Sequence, residues 1–192
     1  IKLPLSRISA YSFDRDTVES WRWINIALAG EPRVLSSSFL TSVYLGVYSS
    51  ARPFLAVGGN TPVSNRAIEE RYLVANKLLG VSEETLLKRL KPPPGLSVNL
   101  SDDPFYLYSS YFREKNFDYA FTSSDKSIPA DKIEELAGRY RLLRVDWADV
   151  KGGYVYYGPW EREIDNRFDG SNSRLKLVYF NPQVRIYRVA DQ

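Results

Sequence analysis

Short runs rich in β-branched and aromatic residues alternate along this chain with longer segments whose apolar residues recur every three to four positions. Such alternation restricts the fold to the α/β class, because a strand followed by a helix and another strand closes a parallel βαβ unit. The first periodic segment is a helix. Asp16 stands as its N-cap with Glu19 at the third helical position, and Val18, Trp21, Ile24 and Leu28 share one face. Gly30, with Pro32 beyond it, marks the stop. Strands are expected over 33–38 and 53–57 with a helix over 39–48 between them. Helices follow over 66–79, stopped by Gly80, and over 83–90, capped by Ser82. Pro92-Pro93-Pro94 ends the second as an extended internal loop. A helix over 102–115, a strand over 117–122 and a helix from Pro129 to about Arg141 come next. A short strand over 141–145 and a stronger one over 154–157 precede two final strands, 175–180 and 184–189, joined by Asn181-Pro182-Gln183 as a hairpin. The expected architecture is a mainly parallel, Rossmann-like sheet with helices on both faces and a C-terminal antiparallel hairpin, in one soluble domain over residues 1–192.

Cysteine and histidine are both absent, and this removes much chemistry. Cys/His zinc sites, disulfides and nucleophile systems that need His or Cys are impossible. Acid–base work falls to Asp, Glu, Lys or Tyr. No cofactor or metal is expected. The net charge of +3 comes from interspersed opposite charges rather than a basic stripe, so nucleic acid is not an expected partner. Many charges beside only two glutamines, Gln183 and Gln192, fit a heat-adapted source. No run approaches the roughly 18 apolar residues of a membrane span, and no signal peptide is present. The chain nevertheless starts at Ile1 and has no Met, which reads as a piece of a longer polypeptide.

Several stretches offer candidate sites. Gly58-Gly59-Asn60-Thr61 leaves a strand and precedes a helix, so it can present backbone N–H groups to an anion, or serve as a plain turn. It lacks the Lys-Ser/Thr of a P-loop and the spacing of a dinucleotide site. The loop starting at Asp165 begins like a calcium loop, but Arg167 and Lys176 occupy ligand positions, which leaves a polar loop. Asp102-Asp103 fits a helix start better than a paired-carboxylate site. Asn99-Leu100-Ser101 is a glycosylation acceptor triplet. The aromatic residues at 105, 108, 111 and 112 recur at helical spacing and read as core rather than as a base-stacking platform. Pro159 cannot donate to a ladder, so the strand Tyr154–Tyr157 must stop at Gly158-Pro159. Glu161 and Arg162 then stand at the carboxyl edge of the sheet, where open α/β folds bind ligands.

Three features occur together: Trp23-Ile24-Asn25 leading into VLSSS, FDYAFTS after a helix, and YVYYGPWERE before LKLVYFNPQVRIYRV. This order resembles the C-terminal extracytoplasmic region of archaeal multi-spanning membrane proteins. These include glycosyltransferases that take sugars from polyprenyl-phosphate carriers, and a related uncharacterised membrane-protein family. Tyr154, Val155, Gly158, Pro159, Glu161 and Arg162 match its strand-and-turn pattern, and Val178-Tyr179, Asn181, Val184 and Ile186-Tyr187-Arg188-Val189 match its final hairpin. The resemblance implies a non-catalytic domain on the extracytoplasmic side of the membrane. Its expected partners are the membrane-embedded part of the same polypeptide and a sugar or glycan acceptor. In such proteins the catalytic acids lie in loops between membrane spans. The alternative is a free-standing cytoplasmic α/β domain that binds a nucleotide or another phosphorylated small molecule.

Overall fold

Val34, Val155, Tyr156 and Ile186 lie at the centre of a five-stranded sheet, and side chains that alternate along each strand feed two separate cores. The computed structural model describes residues 13–55, 64–91, 128–165 and 167–191. The expected helix over 102–115, the expected strand over 117–122, the proline loop, Asn99 and the Gly58–Thr61 loop lie outside the described residues.

Helix α1 (Arg15–Ala27) is capped by Asp14, whose carboxylate accepts from the backbone N–H groups of Asp16 and Thr17. The cap is thus two residues earlier than Asp16, which contributes its charge to the first turn instead. The helix also stops earlier, at Ala27, and Gly30 makes a left-handed turn at φ 70°. Strand β1 (Arg33–Leu35) is shorter than expected. Ser36 leaves the ladder because its hydroxyl accepts from the Ser38 N–H, and Ser38 then caps α2 (Phe39–Tyr48). Strand β2 (Arg52–Pro53) is held by a bond from Phe54 N–H to the Val34 carbonyl, 2.7 Å. Helices α3 (Asn65–Leu78) and α4 (Glu83–Leu90) begin at the caps Ser64 and Ser82. Helix α5 (Ala130–Leu142) runs through Arg141 and Leu142, so no strand forms over 141–145. Tyr140 explains that continuation: it follows Ile133, Leu136 and Ala137 on the buried face of the helix. After a 3₁₀ turn (Trp147–Val150) come β3 (Tyr154–Tyr157), the one-and-a-half-turn α6 (Pro159–Ile164), β4 (Leu175–Phe180) and β5 (Arg185–Val189).

The strand order is β2-β1-β3-β5-β4. β1 pairs in parallel with β2 and β3, whereas β5 pairs antiparallel with β3 and β4. The sheet is therefore evenly mixed rather than mainly parallel. The reason is topological: β5 returns directly alongside β3 and takes the position where a further parallel strand would add. Helices do cover both faces. Leu35, Val155, Tyr157 and Val189 face the α3–α5 side, with Tyr72, Leu86 and Tyr140. Val34, Tyr156 and Ile186 face α1 and α2, with Trp21, Ile24 and Leu45.

Gly170 and Gly80 test how much this packing constrains the turns. Both have φ near 70°, but a Cβ on Gly170 would lie 2.5 Å from the ring of buried Tyr187, whereas one on Gly80 would meet nothing. Gly80→Ala is expected to lose about 1 kcal/mol from the backbone alone, and Gly170→Ala about 2–4 kcal/mol because the aromatic core must also shift. Urea unfolding of the two variants measures the difference; equal losses would show that Tyr187 gives way freely.

Candidate functional site

The connections after β1 and β3 diverge, α2 toward β2 and α6 toward the hairpin, so the carboxyl ends of these two parallel strands form the switch-point crevice of the sheet. Glu161 fills it. Its side chain is almost entirely enclosed at 1% exposure. Ser36, from the end of β1, donates its hydroxyl to Oε1 at 2.6 Å, and Thr41, from the first turn of α2, donates to the same oxygen at 2.5 Å. The Gly158 N–H donates to Oε2 at 2.8 Å. The carboxylate thus sits at the N-terminal ends of α2 and α6, where backbone dipoles favour negative charge.

The surrounding residues leave this group little freedom. Ser36 Oγ also receives the Ser38 N–H, and Ser42 donates to the Ser38 carbonyl at 3.0 Å. Gly158 has to be glycine, because a Cβ there would lie 2.7 Å from the Tyr156 ring. The Tyr156 hydroxyl meets Ser20 Oγ at 2.9 Å, and burial pushes it well above the ordinary tyrosine range. Burial likewise pushes the Glu161 carboxyl above the usual carboxylate range, against the pull of its three donors.

Arg162, the next residue, points to the surface and clamps the hairpin turn. Its Nη1 donates to the Gln183 carbonyl at 2.6 Å and its Nη2 to Gln183 Oε1 at 2.7 Å. Asn181 holds the same turn: Oδ1 accepts from the Gln183 and Val184 N–H groups, while Nδ2 donates to the Asp16 carbonyl on α1. Of the residues expected to bind a ligand, then, Glu161 and Arg162 are adjacent in sequence but face opposite environments. Gly58, Gly59, Asn60 and Thr61 lie outside the described residues. Sequence reasoning did not pick out Ser36 and Thr41. The signal available for them was the serine run after β1, whose hydroxyls fit a helix start.

The loop after α6 is polar, as expected, and structural. Asp165 pairs with Arg167 and accepts from the Ser82 N–H at 3.2 Å, tying the start of α4 to the end of α6. A second concavity of about 430 Å³ lies between α4 and α5, lined by Leu87, Ile133, Ala137 and Gly138. Its rim carries Glu83 and Arg141 paired with each other, and that pairing holds Glu83 below the usual carboxylate range. Among the described residues, no three acids come together in a way that could hold a metal ion.

Glu161 has a signed consequence for pH. Its folded-state pKa lies above the ordinary 4.5, so the folded protein holds the proton more tightly than the unfolded chain. Stability from this group is greatest at low pH and declines as pH rises through the folded value. Glu161→Gln, which keeps the shape, should therefore gain on the parent as pH rises from about 4.5, measured by chemical unfolding across pH; parallel curves would exclude the shift. Glu161→Ala should lose about 3–5 kcal/mol, since it leaves three inward donors without an acceptor. Arg162→Ala should lose under about 1 kcal/mol, because both its acceptors belong to the exposed Gln183. Comparison with protein-family models, with curated proteins and with solved structures returned no match, so function has to be read from this geometry and from the sequence pattern.

Proposed function

We propose that this chain is a non-catalytic extracytoplasmic domain of a membrane protein of the lipid-linked-sugar glycosyltransferase type, joined to the membrane-embedded part of the same polypeptide. The observation that carries the non-catalytic part is the filled switch point. The crevice in which an open α/β sheet would seat a ligand anion holds the chain's own carboxylate, bonded on both oxygens and closed from solvent. A phosphorylated small molecule would have to displace Glu161, so the reading as a nucleotide-binding domain has less support.

The residues behind the resemblance also favour a scaffold. Val155, Glu161, Val184, Ile186 and Val189 are buried, and Asn181 and Arg162 spend their polar groups on the hairpin turn. A motif built of such residues preserves a shape, and a shape serves to seat the domain against the membrane portion or to support an acceptor. Chemistry then belongs to the acids of the membrane portion.

The natural absence of cysteine gives a direct test of location. A single Lys151→Cys change, at an exposed turn, should react with a membrane-impermeant maleimide in intact cells that make the whole polypeptide. Labelling only after lysis would overturn the extracytoplasmic reading. The purified chain should release no sugar from a polyprenyl-phosphate carrier, measured with radiolabelled donor; turnover abolished by a point change within residues 1–192 would overturn the non-catalytic reading.

A further inference from the structure

The C-terminal ends of α1 and α2 meet on one surface, and the largest exposed aliphatic side chains of that region gather there. Ile26 is 86% exposed and Val47 66%, and Tyr48 presents half of its ring. Asn25 holds the two ends together: its Nδ2 donates to the Tyr48 carbonyl, and its Oδ1 accepts from the Ser50 N–H at 2.6 Å. Behind Tyr48 lies an aromatic bed. Tyr48 stacks on Trp21 at 5.3 Å, Phe13 stands edge-on to Trp21, and Tyr44 and Trp160 are 5.5 Å apart. Arg22, exposed, is one helical turn before Ile26.

From this arrangement we infer that the α1–α2 end is a lipid-contact surface, which rests in the interfacial layer of a bilayer. This rests on the proposed membrane tether and names the surface that it brings to the bilayer. Three observations select lipid over a second copy of the chain. Two aliphatic side chains and half a tyrosine ring are far less than the roughly 1,200–2,000 Å² that a stable protein interface buries. The half-exposed Tyr48 ring, apolar in body and polar at its hydroxyl, suits the boundary between headgroup and hydrocarbon. A cation beside the apolar patch suits anionic headgroups.

The test is co-sedimentation of the full 192-residue chain with vesicles of phosphatidylcholine, alone or mixed with phosphatidylglycerol. The parent is expected to bind, and more tightly to the anionic vesicles. The double change Ile26→Ser with Val47→Ser touches only exposed side chains, so it should melt like the parent yet bind about tenfold less. Arg22→Gln should remove the preference for the anionic vesicles. Phe180→Ser, at another exposed apolar side chain but on the hairpin, should bind like the parent. Absent vesicle binding overturns the inference, as does an equal loss from Phe180→Ser. A dimer in sedimentation that the double change dissolves would assign the surface to a protein partner and overturn it too. Cysteine labelling from the cytoplasmic side would sink the proposed location without altering vesicle binding, so the two failures are distinguishable.

Discussion

An enclosed carboxylate held by two hydroxyls and a backbone N–H rather than by a cation is an expensive thing to build into a fold, and the arrangement of Glu161 shows what offsets it. Transfer of a lone carboxylate out of water is prohibitive unless it is met by well-placed donors. Here the donors come from three different parts of the chain: the end of β1, the first turn of α2 and the turn before α6. Each is separately anchored, Ser36 by the Ser38 N–H and Thr41 by its helix. The bond set therefore acts as a register key. It forms only when β1 and β3 lie side by side in parallel with their carboxyl ends level, and it fixes where both following helices start. This is how Gly158, Pro159 and Glu161 work together: glycine permits close approach to Tyr156, proline starts α6, and glutamate closes the crevice.

The mixed sheet follows from the same junction. β3 has β1 on one side and β5 on the other, so among the described strands it is the one in both a parallel and an antiparallel pairing. Its four residues alternate between the two cores, Val155 and Tyr157 on the α3–α5 side and Tyr156 on the α1–α2 side. Arg162 and Asn181 then lock the hairpin turn to α6 and α1, so that the antiparallel half cannot slide relative to the parallel half. Neither bond set needs large energy. Register is a discrete choice, and a slip of one residue would turn Tyr156 and Ile186 out of their core.

Local punctuation was the legible part of the sequence. Ser82 and Gly80 bound their helices as read, Gly158-Pro159 ends β3, and Asn181-Pro182-Gln183 turns the hairpin. What failed was choice between equivalent local signals. Asp14 and Asp16 both suit a cap, and the position is decided by Phe13, which packs against Trp21 and Tyr44 and so sets where the chain enters the helix. The strand expected over 141–145 fails because the buried face of α5 continues through Tyr140 and carries the helix to Leu142. At the site, the bond from the Gly158 N–H to Glu161 follows from a spacing of three residues. Ser36 and Thr41 lie 125 and 120 residues from Glu161, so no local pattern could pair them with it.

The edges of the sheet bear on which surface is left to meet a partner. Among the described residues β2 ends one side of the sheet with two residues, and one of them is Pro53, which has no N–H to offer an added strand. β4 ends the other side, and its pairing with β5 shifts register between Leu177 and Tyr179, an irregularity that twists the strand away from regular extension. Lys176 adds a charge to that edge. Both edges thus resist strand addition, although β4 exposes Leu177 and Phe180. Among the described residues no comparable guard covers the α1–α2 end, where Ile26 and Val47 stand open beside a packed ring cluster. A surface held rigid from behind loses little side-chain freedom when it is covered. That difference is why the helical end, rather than the sheet edge, is the surface we propose for contact with a bilayer.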